Sequence, residues 1–243
     1  MFTILSRCYY VSLTIPLLLL PGLLCDATLW QHQIKALKPL ADCRVMDTTR
    51  YDRIDALARA VLAEAPPQFA LAGLSMGGYV ALEILRQAPE RILKLCLLDT
   101  SARPDTDEQS TKRRLLLAMS KAGQFKGVTP RLLPLLIHPD RLEDKELTHT
   151  IMTMAERMGR DVFHNQQTAI LNRIDSRPLL KDIRCPTQLI VGAEDALTPP
   201  EIMREVHTGI AGSRFNVLEH CGHLSALEKP DEVSALMRQW LAA

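Results

Sequence analysis

The chain has 243 residues, 29 Lys+Arg against 28 Asp+Glu, a formal net charge of +1, and 47% hydrophobic and 23% charged residues. This is the composition of an ordinary globular protein with one domain and a sizeable core. The even charge balance excludes nucleic acid or an anionic membrane surface as the main partner, since both need a basic surplus. No long polar or charged tract points to disorder.

The first feature is an apolar run, Val11 to Leu24, after Arg7. It is too short to span a membrane, it contains Pro16 and Pro21, and Leu24 before Cys25 is not the small residue a signal peptidase requires. The run is therefore predicted to be a buried parallel strand, Leu13–Leu20, ending at the Pro21-Gly22 turn. The mature chain is expected to begin at or near Met1, with no stable membrane anchor. Cys8, Cys25, Cys43, Cys96, Cys185 and Cys221 are scattered without a C-x-x-C pair, which predicts reduced thiols in a cytoplasmic protein.

Thr28–Leu37 reads as a helix and Arg44–Asp47 as a short strand. Ile54–Ala65 places Ile54, Leu57, Ala58, Val61 and Leu62 on one helical face before Pro66-Pro67. Phe69–Leu74 reads as a strand, Met76–Gln87 as a helix and Ile92–Leu98 as a strand. This alternation predicts an α/β fold, a mostly parallel sheet with helices on both faces.

From about Pro104 to Ser176 the pattern is helical only, with apolar parts Leu115–Met119, Leu132–Ile137, Ile151–Met158 and Phe163–Ile174. Then Thr187–Val191 reads as a strand, Glu201–Ile210 as a helix, Arg214–Leu218 as a strand and Asp231–Leu241 as a helix. The expected organisation is a core of residues 1–103 and 177–243 with a helical lid, 104–176, inserted between two strands.

Gly73-Leu74-Ser75-Met76-Gly77 matches G-x-S-x-G where a predicted strand meets a predicted helix. A serine on so sharp a turn stands above the carboxyl edge of the sheet, at a helix N-terminus that favours negative charge. Serine needs a base. His223 follows the last strand by a few residues, with His220 as competitor. The base needs an orienting carboxylate. Asp195, after the penultimate strand, is the first candidate, with Glu194 beside it and Asp99, directly after Ile92–Leu98, as the alternative. His220-Cys221-x-His223 lacks a second cluster to complete a metal site. No phosphate-loop or dinucleotide fingerprint is present, so no cofactor is implied.

With these motifs, Leu17–Gly22, Gly73–Gly78, Gly192–Pro199 and Cys221–Pro230, the chain resembles the α/β-hydrolase fold superfamily. The likeness is to its lidded branch of esterases, lactonases and C–C bond hydrolases, and runs from Leu17 to Trp240. Pro21-Gly22 stands where the family usually has His-Gly, and Asp47–Arg50 where a Gly-x-Gly-x-Ser loop is usual. The resemblance implies a Ser75–His223–Asp195 triad and an oxyanion hole from the amides of Leu23 and Met76.

The expected function is that of a serine esterase acting on a small, largely apolar carboxylic ester. The rival within enzymes is C–C bond hydrolysis or a related lyase or synthase reaction. That chemistry needs a carboxylate-binding arginine, for which Arg50, Arg103 and Arg131 are candidates. A non-catalytic hydrolase-fold binder is the alternative outside enzymes. Leu115, Leu116, Leu117, Leu132, Leu133, Leu135 and Leu136 give the lid an apolar character that favours neutral acyl groups. Met119, Met152, Met154 and Met158 either pack the lid helices or form a pliable pocket wall.

Overall fold

The computed structural model describes residues 14–122 and 125–243. Val11 to Leu13 of the apolar run, and Cys8, lie outside the described residues. The sheet contains β1 (Ile15–Leu20), β2 (Ala41–Val45), β3 (Phe69–Leu74), β4 (Ile92–Leu98), β5 (Thr187–Gly192) and β6 (Arg214–Leu218). Their order is β2-β1-β3-β4-β5-β6, every neighbouring pair parallel. All six strands therefore present their carboxyl ends along one edge. β1 and β3 are apolar along their whole length, and β4 is so except for Lys94 near its start, as burial on both faces demands.

Alternation along each strand divides the core in two. Leu18, Leu20, Leu71, Leu95, Leu97, Leu189 and Val191 pack against helices α2 (Ile54–Glu64), α3 (Met76–Gln87) and α7 (Pro200–Gly209). Leu17, Leu19, Ala70, Ala72, Cys96, Leu98 and Ile190 face helices α1 (Gln31–Leu37) and α9 (Pro230–Ala242). Between β4 and β5 lie α4 (Asp107–Ala122), α5 (Lys145–Leu171) and the short α6 (Arg177–Leu180), and after β6 comes α8 (Ser225–Glu228). No strand occurs between β4 and β5 among the described residues.

Several expected elements are displaced. The strand expected at Arg44–Asp47 is Ala41–Val45, an edge strand on which Asp42 and Arg44 are exposed while Asp47 already turns the chain by accepting from Thr49 N at 2.8 Å. The helix expected from Thr28 opens as a 3-10 turn, Ala27–Trp30, with Asp26 accepting from Thr28 N at 2.8 Å. Leu132–Ile137 yields only a 3-10 turn at Leu133–Leu135, with Pro134 in its first turn. In α5 the chain breaks at Gly159 (φ 77, ψ 179), a region open essentially only to glycine. The expected helices Ile151–Met158 and Phe163–Ile174 are its two halves, the second ending at Leu171.

Candidate active site

Ser75 sits between β3 and α3 with φ 54 and ψ −115. Such a backbone persists only when its surroundings fix it. Here Ser75 N donates to Leu98 O at 3.0 Å, and Ser75 O accepts from Thr100 Oγ1 at 2.7 Å and Gly78 N at 2.9 Å. The sharp turn also brings α3 against β1, and any side chain at Gly77 would collide with the Leu20 backbone.

His223 Nε2 lies 2.8 Å from Ser75 Oγ, and His223 Nδ1 lies 2.9 and 2.8 Å from the two oxygens of Asp195. Asp195 Oδ1 also accepts from Leu197 N and Thr198 N at 2.8 and 2.9 Å, and Oδ2 from Thr198 Oγ1 at 2.8 Å. His223 is 4% and Asp195 2% exposed. Burial works to raise the Asp195 pKa, but the His223 charge and the hydrogen bonds from His223 and Thr198 hold it below the usual carboxylate range. Burial likewise works to lower the His223 pKa, and the Asp195 charge and hydrogen bond override it, so the imidazole is a stronger base than free histidine.

The competing residues go elsewhere. Asp99 is fully buried and makes no hydrogen bond to the imidazole. It accepts from Gly192 N at 3.0 Å and from the amide and hydroxyl of Ser225. Burial and then the Asp195 charge push it well above the usual carboxylate range. Glu194 Oε2 accepts from Cys221 N at 2.9 Å, and Glu194 N donates to Cys221 O at 3.0 Å, which sets the loops after β5 and β6 side by side. His220 is exposed and turns its Nδ1 toward Asp140, 3.7 Å away. Cys221 is a buried thiol and His223 is turned to Ser75, so the three residues of His220-Cys221-x-His223 do not converge. His138, Asp140 and His220 do cluster. His138 Nδ1, however, already accepts from Asp140 N at 3.1 Å.

The candidate arginines also point away from a carboxylate role. Arg50 is exposed and pairs with Asp47 and Glu64, Arg103 pairs with Glu205, and Arg131 is exposed. A cleft of about 250 Å³ is lined by Arg53, Tyr79, Ser101, Arg103, Arg173 and Ser176. Ser75 does not line it, and each of its three guanidiniums is paired with a carboxylate.

Leu23 and Leu24 are the central residues of a turn closed by Cys25 N donating to Gly22 O at 3.1 Å. The first central amide of such a turn is not used by the turn itself, and the first amide of a helix has no partner within it. Among the described residues, Leu23 N and Met76 N make no backbone bond outside regular elements. A side chain at Gly22 would begin 3.5 Å from Ser75 Cβ, so the turn lies beside the serine. Leu23 also joins an apolar cluster of Leu24, Leu117, Phe125, Val128, Met158 and Phe163. Leu115, Leu116, Met119, Leu132 and Leu135 are exposed instead, and Met154 is buried in the core. The apolar cluster that includes Leu23 thus draws on fewer residues than the leucine-rich sequence suggests.

Sequence reasoning missed Thr198 and Thr100, which brace Asp195 and Ser75, and Glu228. The Glu228 carboxylate accepts from Gly222 N at 3.0 Å and His138 N at 2.7 Å. No local pattern marks Thr100 or Glu228, whose partners Ser75 and His138 lie 25 and 90 residues away in the chain, whereas Thr198 lies only three residues from Asp195.

The Alpha/beta hydrolase family matches residues 17–236. A pimeloyl-[acyl-carrier protein] methyl ester esterase of Neisseria meningitidis serogroup A is 29% identical over 198 residues, 77% of this chain and 62% of that protein. The chain thus spans less than two thirds of the length of this relative. The structure of a thermophilic esterase from Thermogutta terrifontis, with malate bound, superimposes with a TM-score of 0.85 at 29% identity, covering 94% of this chain and 89% of that one. The enol-lactonase from Burkholderia xenovorans LB400 shares the fold, with a TM-score of 0.82 at 22% identity over 95% and 91% of the two chains.

Proposed function

The chain belongs to the alpha/beta hydrolase family, and from that premise we propose that it is a serine hydrolase cleaving a small, largely apolar carboxylic ester through an acyl-enzyme. The observation that carries this reading is the continuous chain of contacts from Ser75 Oγ to His223 Nε2, 2.8 Å, and from His223 Nδ1 to Asp195, 2.8 Å. Ser75 attacks the ester carbonyl while His223 takes the hydroxyl proton. Asp195 holds the imidazole in the tautomer that can accept it and stabilises the imidazolium. The amides of Leu23 and Met76 receive the developing oxyanion, each contributing about 10²–10³ in kcat. His223 then protonates the departing alkoxide and activates water to release the acid.

The likeness to a methyl ester esterase supports an ester of a small alcohol. The apolar cluster around Leu23 and Phe163 supports a neutral acyl chain. The helices from 104 to 176 act as the lid over a core formed by 1–103 and 177–243. The substrate is a small molecule, and the chemistry uses side chains and backbone amides without a cofactor. A cytoplasmic location belongs to the same reading, supported by the free thiols of Cys25, Cys43, Cys96, Cys185 and Cys221. Among the described residues no helix is long and apolar enough to cross a membrane.

Hydrolysis of p-nitrophenyl esters tests the proposal together with labelling by a fluorophosphonate. Wild type should turn over and label at Ser75. Ser75→Ala should do neither while keeping its circular dichroism spectrum, and residual activity above about 1% would overturn the nucleophile assignment.

A further inference from the structure

The turn beside Ser75 holds two adjacent amides, Leu23 N and Leu24 N, and only one of them is engaged. Leu24 N donates at 2.8 Å to Oε1 of Gln166, a side chain with 0% exposure in the second half of α5. Gln166 Nε2 donates to Thr48 O at 3.1 Å, beyond the end of β2. Its two closest partners are a backbone N–H and a backbone C=O, with Thr48 Oγ1 a more distant acceptor at 3.5 Å, so the orientation of the amide is fixed by their character. Leu24 has φ 56, a left-handed conformation that leucine rarely adopts. Arg157, in the first half of α5, holds the other side of the same loop, donating to Asp26 Oδ2 at 2.7 Å and Thr28 Oγ1 at 2.9 Å. The break at Gly159 divides the helix between these two grips.

We propose that Gln166 is a positioning residue for the oxyanion hole: by occupying Leu24 N and bracing the turn against Thr48, it leaves Leu23 N as the amide presented to substrate. This inference rests on the serine-hydrolase reading. Gln166 touches neither substrate nor the reacting atoms. Its effect should fall on the charged tetrahedral state, which needs the Leu23 donor in place, and hardly on ground-state binding.

The experiment compares wild type, Gln166→Ala and Gln166→Glu on p-nitrophenyl butyrate, with inhibition by butylboronic acid, which forms a tetrahedral adduct on the serine. Gln166→Ala should lose on the order of 10²-fold in kcat, the scale of a misplaced catalytic group. Its KM should stay within about threefold of wild type, and boronate affinity should fall in parallel with kcat/KM. Gln166→Glu keeps an acceptor for Leu24 N but can donate to Thr48 O only when its introduced carboxyl is protonated, a form that burial favours. Its kcat relative to wild type should therefore rise as pH is lowered from about 8 to about 6.

A folded Gln166→Ala with wild-type kcat, or with a loss confined to KM, overturns the inference. Should that variant fail to fold, a flat Gln166→Glu to wild-type ratio across the pH range overturns it. A wild type that neither hydrolyses esters nor labels at Ser75 overturns the proposed function and this inference with it. An active, labelled wild type beside unaffected variants removes the role of Gln166 alone.

Discussion

Replacing Asp195 by asparagine tests the acid–base pair through a forced exchange of donors and acceptors. Asp195 Oδ1 accepts two backbone amides, Leu197 N and Thr198 N. An asparagine must keep its carbonyl oxygen there, since an NH₂ group facing two N–H donors would leave all of them unpaired. Its NH₂ then occupies the Oδ2 position, 2.8 Å from His223 Nδ1 and nearer to it than the carbonyl oxygen at 2.9 Å, which is already taken by two backbone amides. That ring nitrogen becomes an acceptor, the proton moves to Nε2, and Nε2 meets Ser75 Oγ as a donor unable to take its proton. The expected loss is about 10⁴-fold in kcat, about 5.5 kcal/mol in activation free energy. KM should change little, because the acyl wall is untouched. Asp99→Asn should lose less than the roughly 10²-fold that marks a direct acid–base participant, since Asp99 contacts Gly192 and Ser225 rather than the imidazole. Steady-state hydrolysis of p-nitrophenyl butyrate at neutral pH measures both. Reversed effects would refute the reasoning and assign the orienting acid to the end of β4.

Acyl chain length provides a test of the apolar wall. Each added methylene should raise kcat/KM about three- to fourfold until the pocket fills, from about 0.8 kcal/mol per buried CH₂, and Phe163→Ala should flatten the series. A flat wild-type series from acetate to hexanoate, with faster turnover of an anionic dienone, would favour the C–C reading. A stability test concerns Asp105, whose nearly buried carboxylate contacts Arg113 and Arg173 at 2.6 Å each. Burial works to raise its pKa, but the hydrogen bond from Arg113 and the Arg173 charge outweigh it and hold it low. The stabilisation is then complete above the unfolded carboxylate value of about 3.9 and lost as pH falls through the lower folded value. Urea titrations should show Asp105→Asn destabilised by about 3–5 kcal/mol at neutral pH, with a shallower loss of stability in acid than wild type; an equal acid slope in both would contradict this.

The central sheet is legible in the sequence because buried parallel strands read as continuous apolar runs, and Phe69–Leu74 and Ile92–Leu98 emerge with the expected bounds. The positions of Ser75, Asp195 and His223 at one sheet edge can be read for the same reason, since each follows a strand end. At the rim this signal weakens. β2 carries charge on its outer face, so the apolar cue shifts toward Val45 and Met46. Between β4 and β5, leucines at helical spacing do not reveal which face meets the core, and Leu115 and Leu116 are exposed. Gln166 and Glu228 carry no local signature, because the groups they satisfy are backbone amides and carbonyls that only the folded chain brings near.

The loop that carries His223 is hung from the segment between β4 and β5. Leu136 O accepts from both His223 N at 3.0 Å and Leu224 N at 3.1 Å, and Glu228 ties Gly222 to His138. Residues 136–138 are thus part of the mounting of His223, although in chain order they belong with the helices around them. This sets where specificity could be re-engineered by transplantation. A chimera that exchanged all of 104–176 for the corresponding stretch of another hydrolase would bring a foreign backbone under His223 and leave the Glu228 carboxylate facing a new neighbour. Replacing only α4, or only the half of α5 before Gly159, would change the apolar cluster beside Leu23 while His223 kept its original support.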